Sequence, residues 1–191
     1  ENANIKCDKL VRSLKEKNPD AYIAVTGCYA QLKSKELSAN KNINLIVGSQ
    51  NKMDIADIIF DDMKKNIIYT SNIKDVKKFK ISFSESERVR AFVKVQDGCD
   101  YSCSFCTIPM ARGESRSAKI SEVIDIVKSL EDKEFKEIIL SGINLGDFRN
   151  SQNENFLKLL MKLDQNTNIP RIRISSIEPN LLSLDIIDFL S

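Results

Sequence analysis

Three of the chain's five cysteines crowd into the string Asp97-Gly98-Cys99-Asp100-Tyr101-Ser102-Cys103-Ser104-Phe105-Cys106, spaced C-x3-C-x2-C, and the 191 residues include no histidine. Thiolates are soft ligands that suit zinc and iron–sulfur clusters. A structural zinc ion takes four protein ligands, commonly as two separated pairs. Cys99, Cys103 and Cys106 supply three, so an all-thiolate zinc site has to recruit Cys28 as its fourth ligand. The alternative is a four-iron cluster on the same three thiols. Its fourth iron then lacks a protein ligand and stays open to a substrate or cofactor, which separates a reactive metal site from a closed structural one. Spacing alone leaves both readings standing.

The elements around the loop say where it sits. Val89-Arg90-Ala91-Phe92-Val93-Lys94-Val95 alternates and is β-branched, so it reads as a strand running straight into the cysteines. Ile120, Val123, Ile124, Val127 and Leu130 recur at helical spacing, predicting a helix over 119–132, with Ser117 or Ser121 and then Glu122 signalling its start. A strand at Glu137–Ser141, a helix at Phe156–Leu163, a strand at Arg171–Ser175 and a helix from Leu181 to Leu190 follow. Three strand–loop–helix units in series predict the first part of a (β/α) barrel, a fold whose chemistry sits in loops at the C-terminal ends of its strands. The cysteine loop, Gly142-Ile143-Asn144 and Ser175–Glu178 all occupy that position, which points to one shared site.

Upstream, a smaller α/β rhythm precedes this one. Ile5, Leu10, Val11 and Leu14 mark a helix over 2–17 that Asn18-Pro19 stops. Ala21–Thr26 reads as a strand ending in Gly27-Cys28, a weak helix covers 33–39, and Ile43–Gly48 reads as a second strand. Ile55, Ala56, Ile58, Ile59 and Met63 then line one face of a helix over 52–63. That order predicts a small parallel sheet with helices. Residues 71–87 are polar, carry Lys74, Lys77, Lys78 and Lys80, and read as an interdomain connection with a short edge strand at most. The expected organisation is an α/β domain over 1–70, a linker over 71–87 and a second α/β domain over 88–191.

Composition narrows the class further. Hydrophobic residues at 42% and charged residues at 29% fit a soluble globular chain, and a net charge of +2 by itself gives no reason to infer a nucleic-acid partner. No apolar run is long enough to span a membrane and no signal-peptide pattern opens the chain. Cysteines too close together for a disulfide framework point to a reducing compartment, hence a cytoplasmic location with no membrane partner. The chain starts at Glu1 rather than Met, inside an apparent helix, and so reads as a piece of a longer protein whose missing units should cover apolar strand and helix faces.

The cysteine spacing, with an aromatic at Phe105 and a barrel strand before it, resembles the signature of the radical S-adenosylmethionine enzymes. The longer string Cys99–Ser117, CDYSCSFCTIPMARGESRS, is similar to their methylthiotransferase branch. Three further stretches agree: Thr26-Gly27-Cys28-Tyr29-Ala30-Gln31, Ser141-Gly142-Ile143-Asn144-Leu145-Gly146-Asp147, and Arg173-Ile174-Ser175-Ser176-Ile177-Glu178-Pro179. Together they most resemble the enzymes that methylthiolate threonylcarbamoyladenosine in tRNA.

The resemblance implies a [4Fe-4S] cluster on Cys99, Cys103 and Cys106, with S-adenosylmethionine on its open iron and an electron donor that triggers release of a 5′-deoxyadenosyl radical. It places Phe105 beside the adenine, although packing under the loop is an equal role for that ring. It makes Gly142 a point of close backbone approach to the cofactor, and Asn144, Ser175, Ser176 and Glu178 polar contacts to its ribose or amino-acid part. Arg112 and Arg116 are open to a carboxylate or phosphate, or to plain surface pairing. Cys28 is implied as one of three ligands of a second, auxiliary [4Fe-4S] cluster, the other two lying before Glu1. Without the resemblance, a lone cysteine beside a strand is a small core residue. Cys7 falls on no ligand position and reads as a helix-face cysteine. A tRNA substrate implies phosphate contacts, for which Lys77, Lys78, Lys80, Arg88 and Arg90 are candidates by clustering. A radical enzyme with a different substrate and a zinc-stabilised binding module are the competing functions.

Overall fold

In the computed structural model, short strands on either side of the lysine-rich stretch build a three-stranded parallel sheet and a four-stranded mixed sheet. The structure describes residues 2–61, 67–77, 79–85 and 90–191. The chain divides into two units, Glu1–Val76 with Cys103–Gly113, and Lys77–Ser102 with Glu114–Ser191.

In the first unit, α1 (Asn2–Lys17) turns Val11 inward. The strands β1 (Ala24–Thr26), β2 (Leu45–Val47) and β3 (Ile67–Tyr69) pair in parallel in that order. Leu45, Ile46 and Val47 are all buried because β2 is central, and a strand covered on both faces needs a continuous apolar run. The helix expected over 33–39 is α3 (Ser34–Ser38), and an unexpected short helix, α2 (Cys28–Leu32), precedes it, the two separated at Lys33 with φ −131°. The helix expected over 52–63 starts as a 3-10 turn, Lys52–Asp54, and continues as α4 (Ile55–Asp61), while Met63 lies outside the described residues. Helix α5 (Ile108–Arg112), which follows the cysteines, packs against α2. Val11, Ile23, Val25, Ala30, Leu37, Ile43 and Ile46 form the core, and buried Asn44 accepts the Ile23 amide at 2.9 Å. Most buried amide side chains are bonded in this way.

In the second unit, the edge strand β4 (Ser82–Ser84) runs antiparallel to β5 (Arg90–Lys94). A two-stranded ribbon follows, β6 (Gln96–Asp97) against β7 (Arg116–Ser117), closing the cysteine stretch at its base. Helix α6 (Ile120–Asp132) leads to β8 (Glu137–Ser141), α7 (Phe156–Asn166) to β9 (Arg171–Ile174), and α8 (Leu184–Leu190) follows. Strands β5, β8 and β9 are parallel and adjacent, with Arg90 beside Glu137 and Glu137 beside Arg171. Ile120, Val123, Val127 and Leu130 of α6 and Phe156, Leu159, Leu160 and Leu163 of α7 bury their apolar stripes against Ala91, Val93, Ile138 and Leu140. Burial of such side chains stabilises by roughly 1.5–3 kcal/mol each. The result is a mixed α/β chain in which consecutive β–α units carry a parallel sheet, with the loops of interest at the strands' C-terminal ends.

One of those loops is packed too tightly for any added carbon. A Cβ on Gly146, in the 3-10 turn Leu145–Asp147, would collide with Leu181 Cβ and lie 3.0 Å from Ile177 Cγ1. Gly146→Ala should therefore destabilise the protein by about 1–3 kcal/mol through overpacking. The check is a lowered urea midpoint at unchanged slope, and a midpoint within error of wild type would contradict it.

Candidate metal and cofactor site

Each of two cysteines follows directly on a glycine that turns the chain out of a strand. Gly27 (φ 101°) precedes Cys28, the first residue of α2, and Gly98 (φ 77°) precedes Cys99. Both angles lie where a Cβ is strained, so glycine is what lets each thiol leave its strand end. Cys28, Cys99 and Cys106 are partly buried and Cys103 is exposed; none is in a disulfide. Cys99 belongs to the second unit, and Cys28, Cys103 and Cys106 to the first.

The start of the cysteine loop is held by side chains of its own unit. Gln96 is wholly buried; its carboxamide donates to the Gly98 carbonyl at 2.8 Å and to Ser115 Oγ at 3.0 Å. The same side chain accepts the Ile143 amide at 2.8 Å and the Asn144 amide at 3.1 Å. Asp97, 3% exposed, accepts from Lys94 Nζ at 2.6 Å, from Arg116 at 3.4 Å and from the Gly98 amide at 3.0 Å. Asp100 accepts the Ser115 amide at 2.8 Å, and its other oxygen pairs with Arg149, which also pairs with Asp147. Asn180 donates to the Tyr101 hydroxyl at 3.3 Å. Sequence reasoning passed over Gln96 and Asp97, whose one signal is their place immediately before Gly98-Cys99.

The loops after β8 and β9 meet. The Leu145 amide donates to the Ser176 carbonyl at 2.7 Å, and the Glu178 amide donates to Asn144 Oδ1 at 3.2 Å. The structure thus brings Gly142, Asn144, Ser176 and Glu178 together with the base of the cysteine loop, and ties Ser175 to the Leu140 carbonyl through its amide. The side chains of Ser175, Ser176 and Glu178 are exposed, whereas Asn144 is 3% exposed and its Nδ2 has no hydrogen-bond partner. The space where a Cβ of Gly142 would stand is closed by Gln96 Oε1 at 2.8 Å and Leu145 Cδ2 at 2.9 Å. Close packing by Gln96 is therefore a sufficient reason for glycine there. Phe105 is 90% exposed, so it does not pack beneath the loop.

In the first unit, the Tyr29 hydroxyl next to Cys28 donates to Asp8 at 3.4 Å and Glu36 at 3.3 Å, and its pKa is pushed up to about 12 by burial and by those two carboxylates. Cys7 packs against the first core, and burial, with Asp8 beside it, raises its pKa, which keeps it a neutral thiol. Ser49 Oγ donates to the Ala111 carbonyl at 2.5 Å, and Gln31 accepts the Ser49 amide at 2.9 Å, so α5 is fastened to the loop after β2. Of the basic candidates, Lys77 pairs with Glu114 at 2.6 Å and Arg90 is exposed, while Lys78 and Arg88 lie outside the described residues. Arg116 is turned inward, with its side chain 11% exposed against Asp97, rather than to the surface.

Among the described residues, no three His, Cys, Asp or Glu side chains converge closely enough to hold a single metal ion. Three accessible or half-accessible thiols without histidine are a donor set that fits a four-iron cluster. The buried Nδ2 of Asn144 is a donor that lacks an acceptor within the protein. Among the described residues, no helix is long and apolar enough to cross a membrane.

Comparison with known proteins places the chain among relatives of one kind. The threonylcarbamoyladenosine tRNA methylthiotransferase MtaB of Bacillus subtilis is 35% identical over 193 residues, covering 97% of this chain and 42% of that protein. Its counterpart in Aquifex aeolicus is 36% identical over 85% of this chain and 40% of its own length. The tRNA-2-methylthio-N(6)-dimethylallyladenosine synthase of Thermodesulfovibrio yellowstonii is 31% identical over 94% of this chain and 42% of its own length. The chain thus spans less than half the length of these curated relatives. The Radical SAM superfamily profile matches residues 93–191, from within β5 through the cysteine loop to α8. Matched by that profile over more than half of its length, the chain belongs to the Radical SAM superfamily.

Proposed function

We propose that the protein is a tRNA methylthiotransferase that modifies the adenine of threonylcarbamoyladenosine. One observation carries the reading: the C-x3-C-x2-C loop leaves β5 beside the loops after β8 and β9, in a chain 35% identical to a methylthiotransferase of that name. Cys99, Cys103 and Cys106 would hold a [4Fe-4S] cluster, and Cys28 would contribute to a second one. When bound, the first cluster and S-adenosylmethionine supply a carbon radical generated by an electron from a donor protein. The chain's own residues position and shield. Asn144 Nδ2 offers a buried donor to the cofactor's polar groups, and Glu178 and Ser176 stand at the rim. Exposed Phe105 offers a flat apolar face on which a purine stacks. Sulfur insertion and methyl transfer, a tRNA partner and a cytoplasmic location complete the reading.

The test is anaerobic reconstitution of the protein as its gene encodes it, followed by mass spectrometry of nucleosides from treated tRNA. A gain of one methylthio group on threonylcarbamoyladenosine is expected. Methylthiolation of dimethylallyladenosine instead would move the substrate to that of the Thermodesulfovibrio relative. A colourless protein with one zinc per chain would refute the radical chemistry altogether.

A further inference from the structure

We infer that the Gln96 carboxamide is a positioning residue: it fixes the loop carrying Cys99 relative to the turn carrying Asn144, and through it the placement of S-adenosylmethionine. This rests on the reading of the site given above. The geometry that carries it is a single buried side chain bonded to both loops. Its nitrogen reaches the Gly98 carbonyl, one residue before Cys99, while its oxygen takes the Ile143 and Asn144 amides. A carboxamide has two donor hydrogens and an oxygen with two lone pairs, so these contacts and the bond to Ser115 Oγ use its whole capacity. The direction of each bond is fixed as well, because backbone amides can only donate and the Gly98 carbonyl can only accept.

Two further features show that this arrangement is aimed rather than incidental. Gly142 leaves the space that Gln96 Oε1 fills, so the turn is shaped around the amide. Asn144, held by Gln96 through its amide, keeps its Oδ1 on the Glu178 amide and its buried Nδ2 without a partner. The bond from Glu178 fixes which end of that side chain is nitrogen. A buried donor left unpaired is unfavourable until an acceptor arrives, so a ligand oxygen at this point would relieve it. Gln96 thus orients the donor without touching the ligand.

The test uses the reconstituted full protein, S-adenosylmethionine as the probe, and two variants. Gln96→Met keeps the length and volume and deletes every bond. Gly142→Ala retains the Gln96 side chain but displaces its amide with a Cβ. Both should retain wild-type iron content and bind S-adenosylmethionine at least about tenfold more weakly, a penalty in keeping with sub-ångström to ångström misplacement. The change in the reduced cluster's electron paramagnetic resonance spectrum on adding the cofactor should shrink in parallel. The double variant should be no worse than the poorer single one, because both act through the same group. Binding within twofold of wild type and an unchanged spectrum in Gln96→Met would overturn the proposal while leaving the functional reading intact. Loss of the cluster in both variants would also overturn it, by assigning the amide to loop folding. No spectral response in the wild-type protein would instead count against the reading of the site itself.

Discussion

Alanine at Cys99, Cys103 or Cys106, one at a time, is expected to abolish cofactor cleavage and tRNA modification together. Each thiolate is one of only three protein ligands proposed for the cluster, and no histidine exists to substitute for it. Alanine at Cys28 should give a different pattern. The first cluster remains, S-adenosylmethionine is still cleaved without modification of tRNA, and the iron content falls by about four atoms per chain. Iron analysis beside 5′-deoxyadenosine formation separates the two classes. A Cys28 variant that still methylthiolates tRNA would show that its thiol is not a ligand and return it to the role of a small residue at the start of α2.

The largest expected loss of stability lies next to the cysteines. Asp97 is buried between Lys94 and Arg116, whose side chains are 23% and 11% exposed. It also holds the Gly98 amide, at the point where the backbone takes a positive φ. Asp97→Ala leaves two cations facing the space that the carboxylate occupied, a change that typically destabilises by about 3–5 kcal/mol. Denaturant unfolding should register most of it. Asp97→Asn keeps one oxygen, which serves the Gly98 amide, and loses the acceptor facing Lys94 and Arg116, so it should recover only part of the loss. An alanine variant as stable as wild type would mean the pair contributes nothing net, as happens when desolvation and attraction balance.

Much of the second unit was legible in the sequence because its strands and helices obey their periods. Val89–Val95 alternates, and Ile120 to Leu130 recur at three and four, so the positions of β5 and α6 could be read directly. What escaped was short or polar. Strand β3 has three residues, and Ile67-Ile68-Tyr69 acquires meaning only through Leu45–Val47 beside it. The ribbon of Gln96-Asp97 with Arg116-Ser117 has no apolar pattern at all, since its bonds close a loop rather than cover a core. For the same reason buried Gln96 and Asp97 were missed: polar side chains are usually exposed, and nothing local says otherwise. Phe105 was left between packing and stacking roles because an aromatic ring suits both; its 90% exposure removes packing, and stacking remains a proposal.

The parallel sheet also bears on the order of events during synthesis. Arg90 pairs with Glu137, and Glu137 with Arg171, so each pairing must wait for an intervening helix and its connections. Contacts between such distant residues form slowly, because the chain entropy of closing the loop is lost before any pairing compensates it. Gln96 cannot reach Ile143 until β5 and β8 have met. Cys99 therefore emerges from the ribosome well before its anchoring loop exists. Metal delivered at that stage would find an unshaped peptide, and oxygen would find an unprotected thiol. The proposed cluster is expected to load after sheet formation, so refolding in air should yield less iron per chain than refolding without oxygen.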